Sequence, residues 1–306
     1  MTLLDPPSTH LHFGEEVADA RREGRPLVAL ETTIVVHGLP SPVNLDVAAA
    51  CEAAVREAGA VPATIGVLDG EVRVGMTVEE LTRLADPASE SVKLSARDLG
   101  VALARGLSGA TTVAGTIAVA HRVGISVMAT GGLGGVHRGA SETFDESADL
   151  TTLSRTPVLV VASGVKSILD IGATLERLDS LGVPVWGYRC DTFPAFYRTE
   201  SPFALDWRVA SPADAARAFL LHRAWSPTGV LLAQPVSAER QLDGDLHDAA
   251  LGAALAAAER SGVTGKAVTP AVLATFAELT AGRSVSVNRD LVIANASLAG
   301  AVAASL

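Results

Sequence analysis

Short runs of β-branched and aliphatic residues alternate along the chain with longer segments whose apolar positions recur every three to four residues. Residues 26–36 (PLVALETTIVV), closed by Gly38 and Pro40, predict a strand, and 44–58 predict a helix capped by Asn44. Residues 62–68 and 71–75 flank Asp69-Gly70 and predict a hairpin. Residues 77–85 open on Thr-Val-Glu-Glu, the signature of a capping box. Alternation follows: helix 95–105, strand 111–114, helix 116–123, strand 125–129, helix 149–155, strand 156–162 (TPVLVVA), amphipathic helix 167–181 and strand 184–188. A helix over 212–225 has Ser211 as cap and Pro212 at its first position, followed by a strand over 229–232. Helices over 246–261, 270–280 and 290–305 end the chain, and 1–24 read as a loop with a short polar helix. The pattern predicts an α/β layered fold. With no internal repeat and no low-complexity linker, residues 1–306 read as a single domain.

Composition narrows the picture. The chain is 48% hydrophobic, 19% charged and 4% aromatic, which suits a largely parallel sheet under Ala-rich helices. A net charge of -10 argues against a large basic nucleic-acid footprint, although a local cluster can still hold a small anion. Cys51 and Cys190 lie far apart in no metal-type spacing, so no disulfide framework is expected and a reducing, cytoplasmic setting fits. No basic start followed by an apolar run marks a secretory leader. The uncharged stretches 106–120 and 291–306 are too short and too rich in small residues for a membrane span. Of the 24 basic residues only Lys93, Lys166 and Lys266 are lysine. Arginine stays protonated, whereas lysine can shed its proton and act as a nucleophile, so each lysine is a candidate for chemistry.

Lys166 follows the strand 156–162 and is expected to open the next helix, at the carboxyl end of the sheet where ligands bind in open α/β folds. There a helix N-terminus and the apolar neighbours Val161, Val165 and Ile168 would disfavour its charged form, as a Schiff-base lysine requires. The competing reading is a snorkelling surface lysine. Glu31 stands inside an apolar run, where burial would raise its pKa and make it a proton donor, unless it faces water at a strand edge. Lys93, before Ser95, could hold a phosphate or ribose oxygen. Asp145, Glu146 and Asp149 form an acidic cluster of a type that suits Mg2+ or Mn2+, or else ordinary helix-start acids. The run Gly131 to Gly139 allows close backbone approach but matches no Walker or dinucleotide fingerprint. His137 could be acid, base or core. Phe193, Phe196 and Tyr197 concentrate the scarce aromatics and could wall a base pocket or pack an interface.

Taken in order, LETTIVVHGLP (30–40), PATIGVLDGEVRVG (62–75), KLSARDL (93–99), GATTVAGTIAVAHRVGISVMATGGLGGVHRGA (109–140), TFDESADLTTLSRTPVLVVASGVKSILDIGATLERL (143–178), GVPVWGYRCDTFPAFY (182–197) and SGVTGKAVTPAVL (261–273) resemble the pseudouridine-5'-phosphate glycosidase family, which includes indigoidine synthase A-like proteins. The resemblance implies a three-layer α/β/α sandwich with a mixed, largely parallel sheet, assembled as a homotrimer. It implies cleavage of pseudouridine 5'-phosphate to uracil and ribose 5-phosphate, with Glu31 as proton donor and Lys166 as covalent nucleophile. By the same match Lys93, Val113 (through its backbone), His137, Ser147, Ala148, Asp149 and Asn288 contact substrate, and Asp145 holds one Mn2+ per subunit. Three departures stand out: Glu146 replaces a small apolar or Ile residue, Arg289-Asp290 follow Asn288 in place of Ile-Ala, and Gln234-Pro235 replaces Asn-Pro. The other enzyme class that a reactive lysine admits is a Schiff-base lyase or aldolase acting on another sugar phosphate or C-nucleotide. A non-catalytic binding protein would tolerate loss of both Glu31 and Lys166.

Overall fold

A computed structural model describes residues 10–263 and 268–306; Lys266 lies outside them. The amino-terminal part runs β1 (Leu11–Phe13), α1 (Glu15–Glu23), β2 (Leu27–Glu31), a π-helical turn (Ile34–Gly38), α2 (Val43–Glu57), β3 (Val61–Leu68), β4 (Glu71–Val74) and α3 (Val78–Ala85). Then come β5 (Val92–Leu94), α4 (Leu99–Ala104), β6 (Gly109–Thr111), α5 (Val113–Arg122), β7 (Val127–Ala129), β8 (Val136–His137), α6 (Ala140–Thr143), α7 (Ala148–Leu153) and β9 (Leu159–Ala162). The chain closes through β10 (Leu169–Asp170), α8 (Ile171–Ser180), β11 (Val185–Tyr188), β12 (Trp207–Val209), α9 (Pro212–Trp225), β13 (Val230–Ala233), α10 (Gly244–Arg260), α11 (Val268–Leu279) and α12 (Arg283–Ala303).

Eleven strands form one sheet in the order β1-β4-β3-β2-β7-β9-β13-β11-β12, with β6 beside β3 and β5 beside β6. Every pairing from β3 through β2, β7, β9, β13 and β11 to β12 is parallel; β4 and β6 run antiparallel to β3. The sheet is mixed and largely parallel, as expected. Its central strands are buried on both faces, so they read as continuous apolar runs such as LVVA and VLLA. α12 packs on β2, β7 and β9 and against α2 and α9, while α5 covers β2, β3 and β7 and packs on α7. The main hydrophobic core draws residues from Val17 through Ala303.

Local chemistry fixes most boundaries. The capping box at Thr77 and Glu80 is present, and the Ser95 N–H donates to Asp98 Oδ2 at 3.0 Å. Asp69 and Gly70 turn the β3–β4 hairpin with positive φ. Several expectations change. The 26–36 strand stops at Glu31, and the rest winds into the π turn. Asn44 does not cap α2; it is buried, and its amide donates to the Val35 carbonyl at 2.8 Å, tying the helix to that turn. Strand β6 ends at Thr111, and Val113 already belongs to α5. Helix α8 starts at Ile171 under an Asp170 cap, not at Ser167. The strands β1, β5 and β12 were not expected at all. Each is short and sits at or near a sheet edge, where only tertiary pairing makes three residues a strand.

Candidate active site

The parallel strands β2, β7, β9 and β13 end side by side, and the residues just beyond them build a cleft. β2 delivers Glu31. β7 runs into Thr130 and the loop Gly131–Gly135, and β9 into Ser163, Gly164 and Lys166. The two loops are laced together: Ser163 N donates to Gly131 O, Leu133 N to Gly164 O, and Lys166 N to Leu133 O. Lys166 is thus held in a short extended segment and does not stand at a helix N-terminus, so the expected helix-dipole contribution does not apply. The lysine is half-buried and lines the cleft.

The cleft has two lobes that meet at Glu31, Thr33, Lys93 and Lys166. The inner lobe adds the more apolar Ile34, Phe196 and Leu273, together with His37 and Asn288. The outer lobe is more polar, with Ser95, Arg97, Val113, His137, Asp145 and Ser147 among its walls. Every residue expected at the site therefore lines one lobe or the other, with Ala148 and Asp149 also in the outer one.

Glu31 is buried, 8% exposed, and accepts a hydrogen bond from the Thr130 hydroxyl. Burial pushes its carboxyl above the ordinary range; the Lys166 charge is the largest opposing influence, followed by the Thr130 bond, while Asp149 pushes it further up. The cleft thus places a carboxyl inclined to hold its proton and the Lys166 side chain along the same walls. The imidazole of His137 is pushed below its usual range by burial, with Asp145 opposing and Lys166 and Lys93 reinforcing. Its charged form is thereby disfavoured.

Val113 opens α5. Of the first four N–H groups of that helix, Ala114 donates to Asp149 Oδ1 at 2.8 Å, Gly115 to the Thr112 hydroxyl and Thr116 to the Thr112 carbonyl. Among the described residues the Val113 N–H is the donor left for a ligand. Asp149 also accepts from Gly134 N at 2.9 Å, so its two oxygens clamp the α5 terminus to the glycine loop. A Cβ on Gly134 would fall 2.3 Å from Ser147 Oγ and 2.6 Å from Asp149 Oδ2, so glycine is required there. Gly132 is equally constrained: a Cβ would meet the Phe196 ring at 2.6 Å.

The expected acidic cluster separates. Glu146 pairs with Arg177 at 2.8 Å, and Asp149 is used by backbone N–H groups. Asp145 remains, its side chain 44% exposed, with Oδ2 3.9 Å from His137 Nδ1. Among the described residues no three His, Cys, Asp or Glu side chains form a metal cage. One carboxylate and one imidazole would fit only a largely hydrated cation of the Mg2+ or Mn2+ type.

Sequence reasoning missed Thr130, His37 and Asn295. Asn295 is fully buried on α12; its amide donates to Thr130 O at 2.8 Å and Ser163 Oγ at 3.1 Å, and Gln234 donates to its Oδ1 at 3.3 Å. It shares a helix face with Asn288, seven residues away. Two asparagines at that spacing in an Ala-rich helix were the available signal. Of the aromatics, Phe196 walls the inner lobe, whereas Phe193 is wholly buried and Tyr197 stacks on Phe276.

Known proteins resemble this chain over nearly its whole length. A sequence model described as "Indigoidine synthase A like protein" matches residues 16–305. The chain belongs to this family. Relatives include a pseudouridine-5'-phosphate glycosidase of Salinispora tropica, 56% identical over 98% of this chain and 93% of the relative. One of Herpetosiphon aurantiacus is 49% identical over 97% of this chain and 98% of its own. Among solved structures, the prealnumycin C-glycosynthase AlnA in complex with ribulose 5-phosphate superposes with a TM-score of 0.90 at 40% identity, covering 98% of both chains. An indigoidine synthase A-like protein of Thermotoga maritima gives 0.89 at 32% identity, covering 99% of both chains.

Proposed function

We propose that this chain is a C-glycosidase that reversibly cleaves pseudouridine 5'-phosphate to uracil and ribose 5-phosphate through a covalent lysine–sugar adduct. The observation that carries the reading is that Glu31 and Lys166 line both lobes of one cleft, with the carboxyl buried there and held toward its protonated form by that burial. A carbon leaving group gives departing electrons no heteroatom to rest on, so paired-carboxylate glycoside chemistry is a weak template. Opening the sugar solves this. Glu31 protonates the ring oxygen while the neutral amine of Lys166 attacks C1', breaking the C1'–O bond. The adduct nitrogen gives a proton back to the Glu31 carboxylate, and its lone pair then forms a protonated imine as the C1'–C5 bond breaks, the electron pair passing to C5, which takes up a proton as uracil leaves. Water hydrolyses the imine and restores the lysine.

The outer lobe suits the sugar phosphate, with Lys93, Ser147 and the Val113 N–H as its donors, and the inner lobe suits the base. Asp145, beside His137, would hold Mn2+, whose positive charge would help orient the phosphate-bearing substrate. The resemblance also supports a homotrimer working in the cytoplasm. Among the described residues no helix is long and apolar enough to cross a membrane.

Incubation with pseudouridine 5'-phosphate and Mn2+ should release uracil. Lys166→Ala should lower turnover by at least about a thousandfold, as loss of a covalent nucleophile does, with an unchanged circular dichroism spectrum. Near-normal activity would rule out the covalent route. Borohydride with ribose 5-phosphate should add one sugar mass at Lys166; a label elsewhere moves the nucleophile. A Schiff-base aldolase would share that label but show no dependence on uracil.

A further inference from the structure

Two buried polar atoms on the inner lobe have no hydrogen-bond partner among the described residues: His37 Nδ1 and Asn288 Oδ1. Such atoms cost free energy unless something meets them, so inside a cleft they mark ligand contacts. His37 sits on the π turn that follows Glu31, and its Nδ1 is the buried ring nitrogen left without a partner. Burial and the Lys93 charge disfavour the imidazolium, and a neutral imidazole keeps one bare ring nitrogen that can accept a hydrogen bond. The Oδ1 of Asn288 is a second acceptor and lies on the Gly131 side of the lobe, where a Cβ on that glycine would come within 3.2 Å of it.

We propose that His37, together with Asn288, accepts the ring N–H groups of the base and so selects a C-linked uracil. The proposal deepens the reading above and rests on it. When uracil is linked through C5, both N1 and N3 carry hydrogens. When it is linked through N1, only N3 does. Cytosine presents a bare nitrogen at position 3. Two acceptors therefore match the C-linked base at both ring nitrogens and leave a buried acceptor unmet by the alternatives, which is an effective way to reject them. Ile34, Phe196 and Leu273 supply apolar walls for a flat ring.

The test is synthesis of pseudouridine 5'-phosphate from uracil and ribose 5-phosphate. His37→Phe keeps a ring but removes the acceptor. It should raise the KM for uracil about tenfold, the scale of one lost buried hydrogen bond, while the KM for ribose 5-phosphate and the borohydride-trapped adduct stay unchanged. His37→Asn, whose side-chain oxygen can occupy the Nδ1 position, should recover most of the loss. An unchanged uracil KM in His37→Phe overturns the proposal. So does a parallel rise in both KM values or loss of the adduct, either of which means a structural role. Calorimetric binding of uracil in the presence of ribose 5-phosphate separates the two ideas without turnover. If wild type binds uracil no more tightly than His37→Phe, the role of His37 falls; selective binding with no turnover overturns the catalytic reading alone.

Discussion

Glu31 is held by opposing forces of known sign, which makes its titration predictable. The Thr130 hydroxyl donates to the carboxylate and so favours its charged form. Thr130→Val removes that bond and should move the alkaline limb of the pH–rate profile for cleavage upward, by about one pH unit for an interaction of this kind. A downward shift would mean that Thr130 acts otherwise. The same carboxyl bears on stability. Its folded pKa lies above its unfolded value, so between the two the native state holds more protons and stability falls as pH rises. Glu31→Gln has no such titration. It should melt progressively higher than wild type as pH climbs above the ordinary carboxyl range, with the gap closing in acid, while losing turnover; parallel melting curves at all pH values would contradict the burial cost. The cysteines add no chemistry here: burial pushes the Cys51 thiol up to about 12 and the Cys190 thiol up to about 11, so neither is a thiolate near neutrality.

At the scale of elements, the site depends on clamps between segments distant in sequence. Asp149 joins the first turn of α5 to the glycine loop through two charge-assisted bonds in a buried setting. Asp149→Ala leaves both N–H groups unmet and should cost about 2–4 kcal/mol, read from urea unfolding. A change below about 0.5 kcal/mol would show that the clamp contributes little. The family match marked Asp149 as a substrate contact; it lines the outer lobe, and its two carboxylate oxygens also accept from Ala114 N and Gly134 N, holding the α5 terminus and the glycine turn in place. The three departures from the family pattern find local partners of this kind. Glu146 meets Arg177, Gln234 meets Asn295, and Asp290 lies 3.5 Å from Arg240. The extra acid at 146 is thereby drawn to an arginine and does not join Asp145.

For the whole molecule, the proposed homotrimer predicts a light-scattering mass of about three times the 31.3 kDa chain; a monomer mass would remove that part of the proposal. The sequence by itself determined the α/β class, the hairpin at Asp69-Gly70, the helix start at Thr77 and the central strands, because turn chemistry, caps and hydrophobic period act over a few residues. The glutamate inside an apolar run and the rarity of lysine also drew attention to Glu31 and Lys166 before any geometry was known. Only the tertiary structure decided that these two side chains line one cleft, since β2 and β9 come together through β7, with about 130 residues of chain between Glu31 and Lys166. It also decided where strand 26–36 ends and where α8 begins, because a buried Asn44 amide and an Asp170 cap outweigh local periodicity there. Thr130, His37 and Asn295 gain their roles from atoms that neighbouring strands and helices bring within hydrogen-bonding reach, and no pattern read along a single stretch of chain encodes such cross-strand proximity.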